Sequence, residues 1–199
     1  IDRKTIDYDG WMIDVGADFF YQNFTFTLGG FFAAGADVEY NNGWLDVDGS
    51  GFVYPNGASH YWSEIMGLGT LDVNVGGTGA TDRPLDTGGY TAGDAPSNLW
   101  TINAGIAYQA MPTTKLTLNY WYLQTHKDVF SEITYDAHGN LVRVDKSKDL
   151  GHELDFYLDQ DIVDGLKLRF VAAYLFADDA YSIHRDDDDV YEVGARLQW

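Results

Sequence analysis

The last nine residues of the chain alternate without a break between apolar side chains and polar side chains or glycine. Tyr191, Val193, Ala195, Leu197 and Trp199 alternate with Glu192, Gly194, Arg196 and Gln198. Successive side chains of a β-strand point to opposite faces, so this stretch predicts a strand with one apolar and one polar face. Two kinds of protein contain such a strand: a soluble sandwich, where the apolar face is buried, and a membrane wall, where it faces lipid.

The composition favours the membrane wall. Aromatic residues make up 16% of the 199 residues, yet the formal net charge is -19 and the mean hydropathy is slightly negative. In a barrel wall only every second residue faces lipid, which keeps the mean hydropathy low. The sequence has no run of 18 apolar residues, so strands are its expected way into a bilayer. Cysteine is absent, which excludes disulfides and thiolate metal sites.

Seven stretches show the alternation expected of membrane-crossing strands. They are residues 11–22, 24–34, 100–109, 116–122, 153–159, 166–176 and 191–199. The connections between them alternate between short and long. Short links are predicted at Gln22-Asn23, Met111 to Thr114 and Ile162 to Gly165, and long links at Asp37 to Ser97, His126 to Asp149 and Ala177 to Asp189. This sorting is typical of outer-membrane barrels, which have short periplasmic turns and long extracellular loops.

The predicted fold is therefore an all-β, antiparallel transmembrane β-barrel, and residues 1–199 form one domain of it. Bacterial single-chain barrels have even strand numbers from eight upward, so we expect the chain to be the C-terminal segment, with about seven to eight strands, of a larger barrel. Residues 37–97 are its long extracellular loop. Leu71 to Val75 also alternates and offers an eighth strand, which would complete a small barrel. That strand would place the Gln22-Asn23 turn outside, against the loop-length rule.

Two stretches resemble known outer-membrane proteins. The pattern of Glu192, Gly194, Leu197 and Trp199 resembles the C-terminal assembly signal of Gram-negative outer-membrane β-barrels, which implies recognition by the barrel assembly machinery. Gly151 to Asp155, Leu168-Arg169-Phe170 and Leu175 to Tyr181 resemble the final strands of alginate-export-type porins. This second resemblance covers residues 151–199 and implies a passive outer-membrane channel. The alginate exporters have a pore rich in arginine and lysine, whereas Val171 stands here where a second inward arginine is expected.

Charged residues on the polar faces of the predicted strands suggest how a lumen would treat ions. Strand parity predicts that Asp14, Asp18, Glu153, Asp155, Asp159, Lys167, Arg169 and Arg196 line the pore. A narrow channel with a low-dielectric wall focuses the field of such groups, and acidic rings favour cations. Asp159 is expected near the three basic residues of the last two strands. Ion pairs between strands that stiffen the wall are the alternative role for that region.

The functional hypothesis is a passive outer-membrane channel for ions or small hydrophilic solutes, without a cofactor. Its expected partners are lipid, the solutes and the assembly machinery, with no nucleic acid, and a homo-oligomer is compatible with it. One alternative is a barrel that docks or sheathes another protein through its loops, or carries the 37–97 loop as a plug. A second is an outer-membrane hydrolase, although no serine or aspartate forms a recognisable motif with the loop histidines.

Two acidic stretches and one hairpin complete the sequence-based expectations. Residues 46–51 and 186–189 either hold a divalent cation or are solvated acidic loops. Residues 133–142 predict a hairpin that turns at His138-Gly139-Asn140 and projects beyond the membrane.

Overall fold

The computed structural model describes residues 9–41, 44–47, 51–52, 62–67, 69, 96–135, 137–138, 141–180 and 189–199. These residues form nine β-strands and no helix. The strands are β1 (Met12–Tyr21), β2 (Phe24–Ala33), β3 (Val38–Asn41), β4 (Trp44–Val47), β5 (Leu99–Met111), β6 (Thr114–Tyr135), β7 (Leu141–Val163), β8 (Leu166–Ala177) and β9 (Val190–Gln198).

Seven of the strands form one antiparallel sheet in the order β1-β2-β5-β6-β7-β8-β9. They correspond to the seven strands that the sequence predicts, so the all-β antiparallel prediction is confirmed. The sheet is open, because β1 and β9 are not paired with each other in the described part of the chain. Strands β3 and β4 form a separate two-stranded hairpin within residues 37–97.

Two-residue turns connect neighbouring strands at one end of the strands, which we call the turn end. They lie at Gln22–Asn23, Pro112–Thr113 and Asp164–Gly165, where short links were predicted. Gln22 and Gly165 have positive φ angles of 53° and 82°, as tight hairpins favour. The other end of the strands is the loop end. There, β2 and β5 are joined through residues 34–98, and β8 and β9 through residues 178–189.

The prediction of a long loop from His126 to Asp149 is wrong, because most of these residues form strands. Strands β6 and β7 stay paired from the turn end to Tyr135 and Leu141, with register shifts near Gln124 and Val129. Residues 133–135 pair with residues 141–144, which confirms the pairing of the hairpin predicted for residues 133–142. Gly139 and Asn140 of its predicted turn lie outside the described residues. Alternation in the sequence does not reveal this extension of β6 and β7, because neither face of the hairpin has to be apolar where it leaves the sheet.

The two faces of the sheet differ in exposure, and we call the face that residues 62–67 cover the inward face and the opposite one the outward face. The outward face carries large apolar side chains that are exposed, among them Ile13, Val15, Phe19, Leu28, Ile106, Leu118, Leu154, Phe170, Phe176, Val193 and Leu197. The inward face is covered towards the loop end by residues 62–67, which we call the inner segment. Its buried apolar cluster comprises Phe31, Met66, Leu99, Trp121, Leu123, Val129, Leu150, Leu175 and Ala180. The core thus lies between the sheet and part of the long loop.

Further sequence-based predictions fall wholly or partly outside the described residues. They are the candidate eighth strand at Leu71 to Val75, the acidic stretch at residues 46–51, of which 48–50 are not described, and the acidic stretch at residues 186–189, of which only Asp189 is described.

Candidate functional site on the inward face

Cross-strand pairing aligns the polar residues of the inward face in rows, because paired residues of neighbouring strands share a face. One row runs across all seven strands through Asp18, Thr27, Gly105, Asn119, Asp155, Ala173 and Glu192. The next row towards the loop end contains Asn103, Trp121 and Glu153. Glu153 and Asp155 therefore lie in the interior of the sheet, whereas Asp18 and Glu192 lie on its edge strands.

Glu153 binds the inner segment through both carboxylate oxygens. Oε1 accepts a hydrogen bond from the Ile65 backbone N–H at 2.7 Å, and Oε2 accepts bonds from the Met66 N–H and the Ser63 hydroxyl at 3.1 Å each. The Glu153 side chain is 0% exposed. Three hydrogen bonds to one buried carboxyl group fix the position of the inner segment on β7.

Aromatic contacts surround this anchor. Trp62 of the inner segment makes edge-to-face contacts with Phe31 of β2 at 5.1 Å and with Trp121 of β6 at 5.5 Å between ring centroids. The Trp121 indole N–H donates a hydrogen bond of 3.0 Å to Asp155 Oδ2. Asp155 is also fully buried, so neither predicted pore-lining carboxylate of this pair faces solvent. The arrangement holds a loop against the sheet.

A second group of charges lies near the turn end. Lys115, Asp159, Arg169 and Arg196 form one cross-strand row. Asp159 accepts two hydrogen bonds from Arg169, of 2.7 Å from Nε and 3.0 Å from Nη2. Arg169 also lies 5.4 Å from the centre of the Tyr157 ring. Lys167 is 3.6 Å from Asp161. The ion pair between strands expected for Asp159 is therefore present.

The remaining predicted site residues lie on the edge strands and are not brought together with the buried carboxylates. Asp14 and Asp18 on β1 are exposed, and Asp18 accepts a hydrogen bond of 2.7 Å from the Thr27 hydroxyl. On β9, Glu192 and Gly194 face inward and are partly buried, whereas Leu197 is exposed, as is Trp199 directly after the strand. The pore-lining and assembly-signal roles of these residues stay predictions.

Both ends of the long loop are attached to β6 beyond the sheet's central rows. The Gly35 N–H donates a hydrogen bond of 3.0 Å to His126 Nδ1. Asn98 accepts a bond from the Lys127 N–H at 2.8 Å, and Lys127 Nζ lies 2.5 Å from Asp37. Burial lowers the pKa of His126 below its ordinary value, and Lys127 and Lys148 act in the same direction. His126 is therefore held neutral as an acceptor.

The sequence pointed to Glu153 but missed the groups that bind it. Ser63 and Met66 are buried, yet they lie in a stretch without strand periodicity, so no pattern marked them. Asn98 was also missed, although its positive φ of 53° is a conformation that asparagine tolerates better than most residues. Among the described residues, no group of three or more His, Asp or Glu side chains is arranged to hold a metal ion.

None of the described segments forms a helix that is long and apolar enough to cross a membrane. Comparisons of the chain with protein-family models, with curated proteins and with solved structures found no match. The resemblance of residues 151–199 to alginate-export-type porins therefore stays a prediction.

Proposed function

We propose that the chain is the C-terminal part of an outer-membrane β-barrel that acts as a passive channel for ions or small hydrophilic solutes. The observation that carries this proposal is the outward face, whose exposed apolar side chains extend across all seven strands of the sheet. Monomeric soluble proteins rarely expose contiguous apolar patches beyond a few hundred Å². Lipid accommodates such a face without an energetic penalty, and the polar rows of the inward face are what a lumen requires.

The distribution of aromatic residues on the outward face supports a membrane environment. Near the turn end, Phe24 stacks on Tyr108 with ring centroids 4.7 Å apart. Near the loop end, Trp11 stacks on Phe32 at 4.8 Å. Trp11 and Tyr21 are ten residues apart on one face, or about 33 Å along the strand, which becomes about 25 Å along the membrane normal at a tilt of ~40°. Outer-membrane barrels have an apolar band of about this height between two aromatic girdles.

The direction of the edge strands supports a barrel with at least one strand more than the seven of the sheet. Each strand of the sheet is antiparallel to its neighbour, so β1 and β9, first and last of seven, run in the same direction. An antiparallel barrel cannot close by pairing these two edges directly. At least one further strand of opposite direction has to lie between them, in keeping with the even strand numbers of bacterial barrels.

Insertion can be tested with two neighbouring phenylalanines that face opposite sides. Phe19 points outward and is 65% exposed, whereas Phe20 points inward and is 71% exposed. In lipid vesicles, Phe19→Arg should reduce folding stability more than Phe20→Arg, and Leu28→Arg, nearer the middle of the band, should cost about 2–4 kcal/mol. In a soluble protein all three substitutions would be surface changes of about 0.5 kcal/mol or less. Equal, small effects in a urea titration would contradict membrane insertion.

Transport requires a separate measurement. The purified protein in planar bilayers should show stepwise conductance, because a channel opens a continuous water path. Cation preference should be larger at low salt than at high salt if exposed carboxylates such as Asp14 and Asp18 set it, since salt screens their field. Absence of conductance would contradict the channel.

One observation favours a second function. Strands β6 and β7 continue as a paired hairpin beyond Gln124 and Asp149, further than any other strand pair of the described chain. This extension offers a surface for docking a partner outside the membrane. A chain that inserts without conducting, and binds such a partner only with the hairpin intact, would support docking instead of transport.

A further inference from the structure

The inner segment occupies the inward face at a point far from its own position in the sequence. Ile65 and Met66 contact Glu153, which is 88 and 87 residues later in the chain. Glu153 lies on β7, two positions after Gly151, and its row crosses the interior of the sheet through Trp121 and Leu175. A loop that only capped the barrel from outside would not reach this row.

The inner segment is packed like a core element. Ser63, Glu64 and Met66 are buried, and Met66 belongs to the same apolar cluster as Leu99, Leu123 and Leu175. Other residues of the segment contact Phe31 on β2, Trp121 on β6 and Glu153 on β7, so one short segment spans much of the width of the inward face. Burial and hydrogen bonding together indicate that the segment is a permanent part of the folded structure.

The hydrogen bonds change the role expected for Glu153. Both of its oxygens are directed at donors of the inner segment. A carboxylate whose acceptor sites point to backbone N–H groups is poorly placed to attract passing cations, whereas Asp14 and Asp18 are exposed on the same face. Charge on the inward face is thus divided between groups that hold a loop and groups that meet solvent.

We propose that the inner segment, residues 62–67, is a resident constriction of the channel, and that Glu153 is the positioning residue that keeps it in the lumen. This inference rests on the proposed channel function. The constriction narrows the loop-end half of the lumen, while the exposed carboxylates of β1 act on ion preference.

The test compares Glu153→Gln with Ser63→Ala and with Asp18→Asn as a matched control. Glu153→Gln keeps the size of the side chain but replaces one carboxylate oxygen by an amide N–H₂, which faces either the Ile65 N–H or the Met66 N–H and cannot accept a hydrogen bond from it. The loss of this bond loosens the segment, so the Ile65 and Met66 amides should exchange with solvent about 10- to 100-fold faster. Ser63→Ala removes one donor and should accelerate this exchange less, which covers the case in which Glu153→Gln does not fold. Asp18→Asn removes the same charge from the same face and should leave both amides protected.

Conductance then separates the constriction from the channel itself. Glu153→Gln should raise the single-channel conductance while the reversal potential in a salt gradient stays unchanged, and Asp18→Asn should shift the reversal potential. A conducting wild type whose Glu153→Gln variant keeps its conductance, or changes only its reversal potential, would overturn the constriction alone. A wild type without conductance would overturn the proposed function and the constriction with it. Unchanged amide exchange in Glu153→Gln would show that Glu153 does not anchor the segment.

Discussion

The part of β7 that pairs with β8, residues 151–163, carries carboxylates on the inward face towards both of its ends, and the two ends use them differently. At the loop end, Glu153 accepts hydrogen bonds from the inner segment, 88 residues away in sequence. At the turn end, Asp159 pairs with Arg169 on the neighbouring strand, ten residues away. The sequence pattern is the same in both places. A carboxylate on a strand therefore takes its role from the element that covers it, and the two ends of β7 are expected to respond differently to the same substitutions.

Backbone geometry should give the largest difference between the two ends. Gly151 has φ +109°, and a Cβ there would lie 1.9 Å from the Phe176 carbonyl oxygen, whereas Gly165 has φ +82° with nothing within 4 Å of its Cβ position. Gly165→Ala should cost about 1 kcal/mol of strain. Gly151→Ala adds a backbone clash and should cost at least ~3 kcal/mol. Urea unfolding of both variants in vesicles gives the comparison, and similar losses would mean that β8 moves freely away from β7.

Removal of the carboxylates should come next in size. Glu153→Ala leaves two buried N–H groups and a hydroxyl without their acceptor, so it should reduce the free energy of unfolding by about 2–4 kcal/mol. Asp159→Ala should cost about 1 kcal/mol, because Arg169 is partly exposed and regains water. If Asp159→Ala were the more harmful change, the ion pair rather than the loop anchor would dominate this face.

These two ends also show how much of the fold and of the site can be predicted from the sequence. Alternation predicts the seven strands and places Asp159 beside the basic residues of β8 and β9, because a tight turn at Asp164–Gly165 fixes that register locally. It does not predict the partner of Glu153, because the inner segment has no periodicity and the contact spans 88 residues of the chain. The extension of β6 and β7 was missed for a related reason: where a paired hairpin leaves the sheet, neither of its faces has to be apolar.

Salt should separate the Asp159–Arg169 pair from the Glu153 anchor. A double-mutant cycle with Asp159→Asn and Arg169→Gln should give a coupling free energy of about 1 kcal/mol at low salt. The coupling should fall at 1 M salt, where screening acts within ~3 Å. The equivalent cycle with Glu153→Gln and Ser63→Ala should change little with salt, because both groups are buried. Equal salt dependence in the two cycles would indicate that water reaches Glu153.

The smallest effect is expected where Gly35 is attached to His126, which we call the root of the long loop, and it depends on pH. His126 Nδ1 accepts the Gly35 N–H, and burial lowers the pKa of His126, with Lys127 and Lys148 contributing and Asp37 opposing. The unfolded chain then binds a proton at higher pH than the folded protein does. The stabilisation is therefore complete above the ordinary histidine pKa of about 6.5 and is lost as the pH falls through the lower folded value.

The acid-sensitive part of this attachment should amount to about one neutral hydrogen bond, or ~1 kcal/mol. Exchange of the Gly35 amide, corrected for its intrinsic pH dependence, should accelerate as the pH falls from 7.5 to 5. His126→Asn offers a control, since its Oδ1 can accept the same bond without titrating in this range, and its exchange should show no such acceleration. The Ile65 and Met66 amides report the Glu153 anchor in the same samples. If they accelerate together with Gly35 in the wild type but not in His126→Asn, the root and the inner segment open as one unit; if they stay protected, Glu153 holds the segment independently of the root.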